Sequence, residues 1–191
     1  MMGWLELPFE AVPSLFDEKA IRDTNPESLT QKLSRAKALS VKANYPDSVI
    51  IGSDAVVAFN GQILEKATGA EDQSRLIKMQ MGKEAEVYTS VYAINALTRQ
   101  DAIRTVIVPY KMANVADAKI DEYVESGKGM DKAGGYGLQD LDGIFLESIN
   151  GCYSGALGFP VCKVSEILQE MGVGVEVDIK KVVREKTGKN C

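Results

Sequence analysis

Between Ser48 and Phe59 the chain carries two apolar runs rich in β-branched residues, Val49-Ile50-Ile51 and Ala55-Val56-Val57, around a polar break at Gly52-Ser53-Asp54. Asn60-Gly61 follows at once. Such a run reads as a buried strand, and Asn-Gly is the strongest short hairpin signal because both turn residues tolerate positive φ. The chain is thus committed to a sheet with a tight return through Gln62-Ile63-Leu64 toward Lys66. A polar break inside a buried strand is not there for packing, so Ser53 and Asp54 become candidates for chemistry.

The flanking segments supply helices to cover that sheet. From Asn25 to Ala43 apolar residues recur at helical spacing (Leu29, Leu33, Ala36, with Leu39 at the edge), with Thr24 or Asn25 as cap and Pro26 in the first turn. Residues 71–81 predict a second helix with Leu76, Ile77 and Met81 inward, ended by Gly82. Strands follow over Glu86 to Leu97 and Ile103 to Tyr110, then a helix over Asp117 to Ser126. Gly143 to Ile149 reads as a strand, residues 150–160 as a Gly-rich connection, and Pro160 to Met171 as a helix. The lysine-rich stretch 178–191 reads as a frayed helix or flexible tail. At 191 residues these pieces suit one α/β domain, or two small lobes around a cleft.

Asp131-Lys-Ala-Gly-Gly-Tyr-Gly-Leu-Gln139 is the most suggestive stretch for ligand binding. Its glycines allow positive φ and exposed N–H groups of the kind that wrap a phosphate or a base edge. The net charge of −5 argues against a partner bound through a nucleic-acid backbone. No stretch approaches the roughly 18 apolar residues of a membrane helix, and no export leader is recognisable at the N-terminus. The three cysteines, Cys152, Cys162 and Cys191, have no metal-ligand spacing and an odd number, so neither a disulfide framework nor a zinc site is expected, and a reducing cytoplasm fits best. Histidine is absent. Catalysis must then rest on carboxylates, lysines, hydroxyls and a hard cation such as Mg²⁺.

Six blocks in order bring these pieces into a resemblance. They are Phe16-Asp17-Glu18-Lys19, Leu33-Ser34-Arg35-Ala36-Lys37-Ala38, Ile50-Ile51-Gly52-Ser53-Asp54, Ile63-Leu64-Glu65-Lys66, the glycine loop 131–139, and Gly151-Cys152-Tyr153 with Leu157-Gly158-Phe159-Pro160. The chain resembles the Maf-like nucleoside triphosphate pyrophosphatases, related in fold to inosine triphosphate pyrophosphatases, over roughly Leu7 to Met171. The resemblance implies a mixed twisted sheet with flanking helices and two lobes around a cleft. It implies hydrolysis of dTTP, UTP or modified nucleotides to the monophosphate and pyrophosphate. Asp54 then matches the catalytic aspartate and, with Glu18, would hold a divalent cation, Mg or Mn. Lys37 and Lys66 match phosphate-facing lysines, and Ser53, Ala55, Lys132, Gly134, Gly135 and Gln139 would complete the substrate site. An amide such as Gln139 offers the donor and acceptor that a pyrimidine imide edge requires.

The family normally opens with a strand and a turn reading approximately Ser-x-Ser-Pro-Arg-Arg, and Met1-Met2-Gly3-Trp4-Leu5 does not match it. A late start site, a shortened paralogue and a strand supplied by another protomer each account for this. The expected consequences are an uncovered sheet edge, weak nucleotide binding and self-association as a homodimer. Ala55 stands where the family commonly has Thr or Gln, and Ala67 where it commonly has Pro. A catalytically impaired, nucleotide-binding or regulatory protein is therefore the alternative reading.

Overall fold

A computed structural model describes residues 1–138 and 144–191. The apolar run forms β1, Val49–Phe59, and the turn at Asn60 and Gly61, with φ of 50° and 76°, returns the chain as β2, Gln62–Leu64. Helix α2, Ala70–Gln80, leads to the long pair β3, Glu84–Asn95, and β4, Asp101–Met112. Helix α3, Asp117–Glu125, precedes the glycine loop, and β5, Leu146–Ile149, completes the sheet in the order β2-β1-β3-β4-β5. The expected strand over 143–149 falls partly outside the described residues.

The α/β class with flanking helices is as expected, but the strand pairings differ. Every pairing among the described residues is antiparallel rather than mixed. The short returns β1 to β2 and β3 to β4 allow only antiparallel neighbours, and no parallel crossover joins two of these strands directly.

Helix α1, Pro26–Val41, covers one face of the sheet. Asn25 caps it by accepting from Ser28 N–H at 2.9 Å, and Pro26 stands in its first turn. Its inward stripe is Thr30, Leu33, Ser34, Ala38 and Val41, whereas Leu29 and Ala36 are only half-buried and Leu39 is exposed. The stripe is rotated from the expected one: Thr30 and Ser34 meet Ser90 and Gly52, while Ala38 and Val41 pack with Ile50, Tyr92 and Ile94. Thr30 and Ser90 share a hydrogen bond of 2.7 Å between hydroxyls.

The polar break also resolves differently: Gly52, Ser53 and Asp54 stay within a continuous β1. A Cβ at Gly52 would lie 2.2 Å from Ser34 O and 2.8 Å from Ala38 N, so only glycine lets α1 come this close. The other face carries two apolar clusters at opposite ends of the long strands. Val57, Phe59, Val87 and Val108 meet α2 and α3. Val91 and Ala93 meet α5, Val161–Glu170, and α6, Ile179–Thr187. The single-turn helix α4, Tyr153–Ala156, lies between them in the chain, just before α5.

The C-terminal stretch expected as a frayed helix or flexible tail is helix α6, docked rather than frayed. Asp178 caps it, Ile179 and Val183 are buried, and Gly188 ends it at φ 68°. Its period-four apolar positions were masked in the sequence by the surrounding lysines. Cys191 then forms a disulfide with Cys162 of α5, against the expectation of no disulfide. The two are 29 residues apart, and only the docking of α6 brings them together.

Candidate active site

The site begins where β2 stops. It pairs with β1 only over Val57–Phe59, so the β1 edge from residue 49 to 56 has no strand partner on that side among the described residues. Asp54 stands on this stretch, opposite Ser90 of β3, and is 8 % exposed. Its face is the one that α1 covers, and the close approach at Gly52 brings Lys37 alongside. Lys37 Nζ donates to Asp54 Oδ1 at 2.5 Å and stands 2.9 Å from Glu18 Oε1. Glu18 reaches this point from a single 3-10 turn, Glu18–Ala20, which Asp17 caps.

The charges of the three groups are interdependent. Burial pushes the Asp54 carboxyl above the ordinary aspartate range and outweighs the opposing pull of Lys37. For Lys37 burial works to lower the pKa, but the bonds to Asp54 and Glu18 prevail and the ammonium is held more firmly than usual. The bond to Lys37 draws Glu18 below its ordinary value. Lys66 acts on both carboxylates by its charge. It follows β2 directly, and its segment is bound to the glycine loop by a bridge to Ala133 and by Gly134 N–H donating to Glu65 O at 3.1 Å.

Two cavities meet the open edge. A groove of about 860 Å³ includes Glu18, Lys37, Ser53, Phe9, Phe16 and Phe159 in its lining. A smaller cavity of about 290 Å³ includes Ala55, Lys132, Tyr136, Leu138, Leu157 and Gly158. By strand alternation Asp54 faces α1 while Ser53 and Ala55 face the opposite side; Ser53 nevertheless borders the larger groove with Glu18 and Lys37, and Ala55 borders the smaller cavity. Ser53 donates to Gly158 O at 2.8 Å and Ser90 O at 3.0 Å, which ties β1 to the α4–α5 connection. Thr89 of β3 donates to Gly155 O of α4 at 2.8 Å.

The structure therefore brings Glu18, Lys37 and Asp54 into direct contact, with Lys66 acting on them through its charge. Lys132 lines the smaller cavity beside Ala55 and pairs with Asp131. Gly134 and Gly135 have φ of 75° and 86°, as a glycine loop requires. Their N–H groups are not turned outward for a phosphate, however: they donate to Glu65 O and Lys132 O, and Gly137 N–H donates to the Tyr123 hydroxyl. Gln139 lies outside the described residues. Sequence reasoning missed Gln73, Gln80 and Thr89, which hold the cavity's backbone. The available signal was a pair of amides seven residues apart on the inward face of α2.

A family model described as Maf-like protein matches residues 1–171. The chain belongs to the Maf-like family. A Clostridium tetani relative named dTTP/UTP pyrophosphatase is 36% identical over 170 residues, covering 87% of this chain and 88% of the relative. A Deinococcus radiodurans relative of the same name is 35% identical over 173 residues, covering 91% and 87%. A third, from Clostridium botulinum, is 35% identical over 171 residues, covering 87% and 88%. Among the described residues of this Maf-like chain, no helix is long and apolar enough to cross a membrane.

Proposed function

We propose that this Maf-like chain is a nucleoside triphosphate pyrophosphatase that cleaves between the α and β phosphates. The observation that carries the reading is a buried Asp54 held by Lys37 at an open strand edge, in a family whose relatives carry that activity in their names. In the reaction a water oxygen bonds to the α-phosphorus, and the α–β bridging oxygen leaves with pyrophosphate. Asp54, when ionised, orients that water and accepts its proton. Lys37 and Lys66 offset the phosphate charge as mobile point charges.

The donor set suits a divalent cation such as Mg or Mn. Lys37 engages Oδ1 of Asp54 and Oε1 of Glu18, which leaves the second oxygen of each carboxylate for a hard ion. Among the described residues no three His, Cys, Asp or Glu side chains cluster. Asp54 and Glu18 are therefore the protein ligands proposed, with phosphate oxygens and water as the rest. A bound ion would neutralise the triphosphate and ease attack at phosphorus.

We place the smaller cavity at the base and assign dTTP and UTP as preferred substrates, with Gln139 reading the imide edge. We also propose a homodimer joined at the open β1 edge. Pyrophosphate release from dTTP, UTP, purine and modified nucleotides, with and without Mg²⁺, tests the reading. Metal-dependent release, greatest with dTTP and UTP, is expected. Nucleotide binding without release from any of them would favour the regulatory alternative instead.

A further inference from the structure

Two glutamines on α2 have no exposed surface and face the core beside Leu76 and Ile77. Gln73 Nε2 donates to Lys128 O at 2.6 Å and Gly135 O at 2.8 Å. Gln80 Nε2 donates to Leu76 O at 2.8 Å and Gly134 O at 3.3 Å. Gln80 Oε1 lies 2.5 Å from the Tyr136 hydroxyl and 3.2 Å from the Tyr110 hydroxyl, the two hydroxyls also touch, and their two protons are shared among the three oxygens. Burial keeps both phenols far from ionising. An apolar side chain would fill either glutamine position without the cost of taking an amide out of water. Among their partners, Gly134, Gly135 and Tyr136 all belong to the glycine loop.

That loop supplies Lys132, Tyr136 and Leu138 to the smaller cavity. Its own N–H groups at Gly134, Gly135 and Gly137 are spent within the protein. The loop's shape, rather than its amides, must then present side chains to a ligand. Glycines resist bending little by themselves, so the loop depends on its anchors: Glu65, Lys66 and Tyr123 hold its N–H side, and the α2 glutamines hold its carbonyls.

We propose that Gln73 and Gln80 are positioning residues for the nucleotide: through Gly134, Gly135 and the ring of Tyr136 they fix the cavity wall against which a flat base packs. The inference rests on the nucleoside triphosphate reading above. It makes the α2 amides determinants of base affinity with no contact to the reacting phosphates. Asp54, Glu18 and Lys37 lie on the α1 side of β1 and make no bond to the loop, so loosening it leaves the proton-transfer geometry in place; Lys66, bridged to Ala133, is the one phosphate-facing residue that moves with it.

The test compares Gln73→Met, Gln80→Met and the milder Tyr136→Phe, which keeps the ring and removes the hydroxyl anchor. Steady-state kinetics with dTTP and UTP are paired with inhibition by inorganic tripolyphosphate, which carries the phosphates without a base. Hydrogen exchange of peptides covering 128–138 and 49–59 is followed in the same proteins. Expected is a rise in KM of about tenfold with kcat changed less than about threefold. Tripolyphosphate inhibition, which feels the loop only through Lys66, should weaken less than about threefold, and exchange should be faster in 128–138 but not in 49–59. Equal weakening of nucleotide and tripolyphosphate, a fall in kcat at constant KM, or unaltered exchange in 128–138 would overturn the proposal. A wild-type protein that releases no pyrophosphate would overturn the functional reading. Calorimetric affinities for dTTP and tripolyphosphate then replace KM and inhibition, and the same base-dependent contrast decides the role of the glutamines.

Discussion

Lys37 Nζ and Asp54 Oδ1 lie 2.5 Å apart, joining the flank of α1 to the middle of β1. The pair exists because Gly52, two residues earlier on the same face of β1, lets the helix backbone sit almost on the strand. A catalytic pairing and a packing constraint are thus one piece of geometry. The consequences can be measured separately.

Asp54→Asn keeps the size of the side chain and an oxygen for Lys37 but removes the proton acceptor and weakens the hold on a cation. Turnover of dTTP should fall by about a hundredfold to ten-thousandfold, with thermal unfolding little changed. Single-turnover release of pyrophosphate reads the chemical step directly. Unchanged turnover would remove Asp54 from the mechanism.

The acid limb of kcat/KM should lie above the range of an ordinary aspartate, because burial raises Asp54 and the reaction uses its ionised form. Lys37→Met takes away the main opposing influence, so the limb should move further up while activity falls. The stability effect has a defined sign. Asp54 has a folded pKa above its unfolded one, so its contribution is greatest below the unfolded value and is lost as pH rises through the folded value. Urea midpoints of wild type and Asp54→Asn across pH 3 to 7, roughly the span of a raised carboxyl, check this.

Gly52→Ala should be far more damaging than Gly61→Ala. At Gly52 the added Cβ meets Ser34 O at 2.2 Å, and the obstacle is helix backbone. The cost should be about 3 kcal/mol, at the upper end for overpacking. At Gly61 nothing lies within 4 Å and only the φ of 76° is strained, for about 1 kcal/mol. Denaturant unfolding separates the two. Gly52→Ala should also lose activity beyond its unfolded fraction, since Lys37 moves with α1.

The disulfide between Cys162 and Cys191 closes a 29-residue loop that contains α6. Reduction, or Cys191→Ser, should cost about 3 kcal/mol. Exchange should rise first in α6 and in the apolar cluster beneath it. Guanidinium unfolding with and without reductant measures the loss, and equal midpoints would mean that packing of Ile179 and Val183 alone holds the helix.

Local signals were sufficient for much of the fold. The β-branched run, Asn60-Gly61, the Asn25-Pro26 start of α1 and the glycine after α2 each state a backbone preference that neighbours reinforce, so those elements appear within a residue or two of where the sequence puts them. Asp54 was legible as a polar residue in an apolar strand, and Glu18, Lys37 and Lys66 through the family resemblance. Contacts made by distant segments were not legible. The burial of Thr30 depends on Ser90 of the sheet arriving opposite it, and that of Ser34 on the close approach at Gly52. The cysteine pair depends on α6 docking, and the loop's spent N–H groups depend on Glu65 and Tyr123 lying beside it. Residue preferences act over a few neighbours along the chain, whereas the positions of these partners follow from how the helices settle on the sheet.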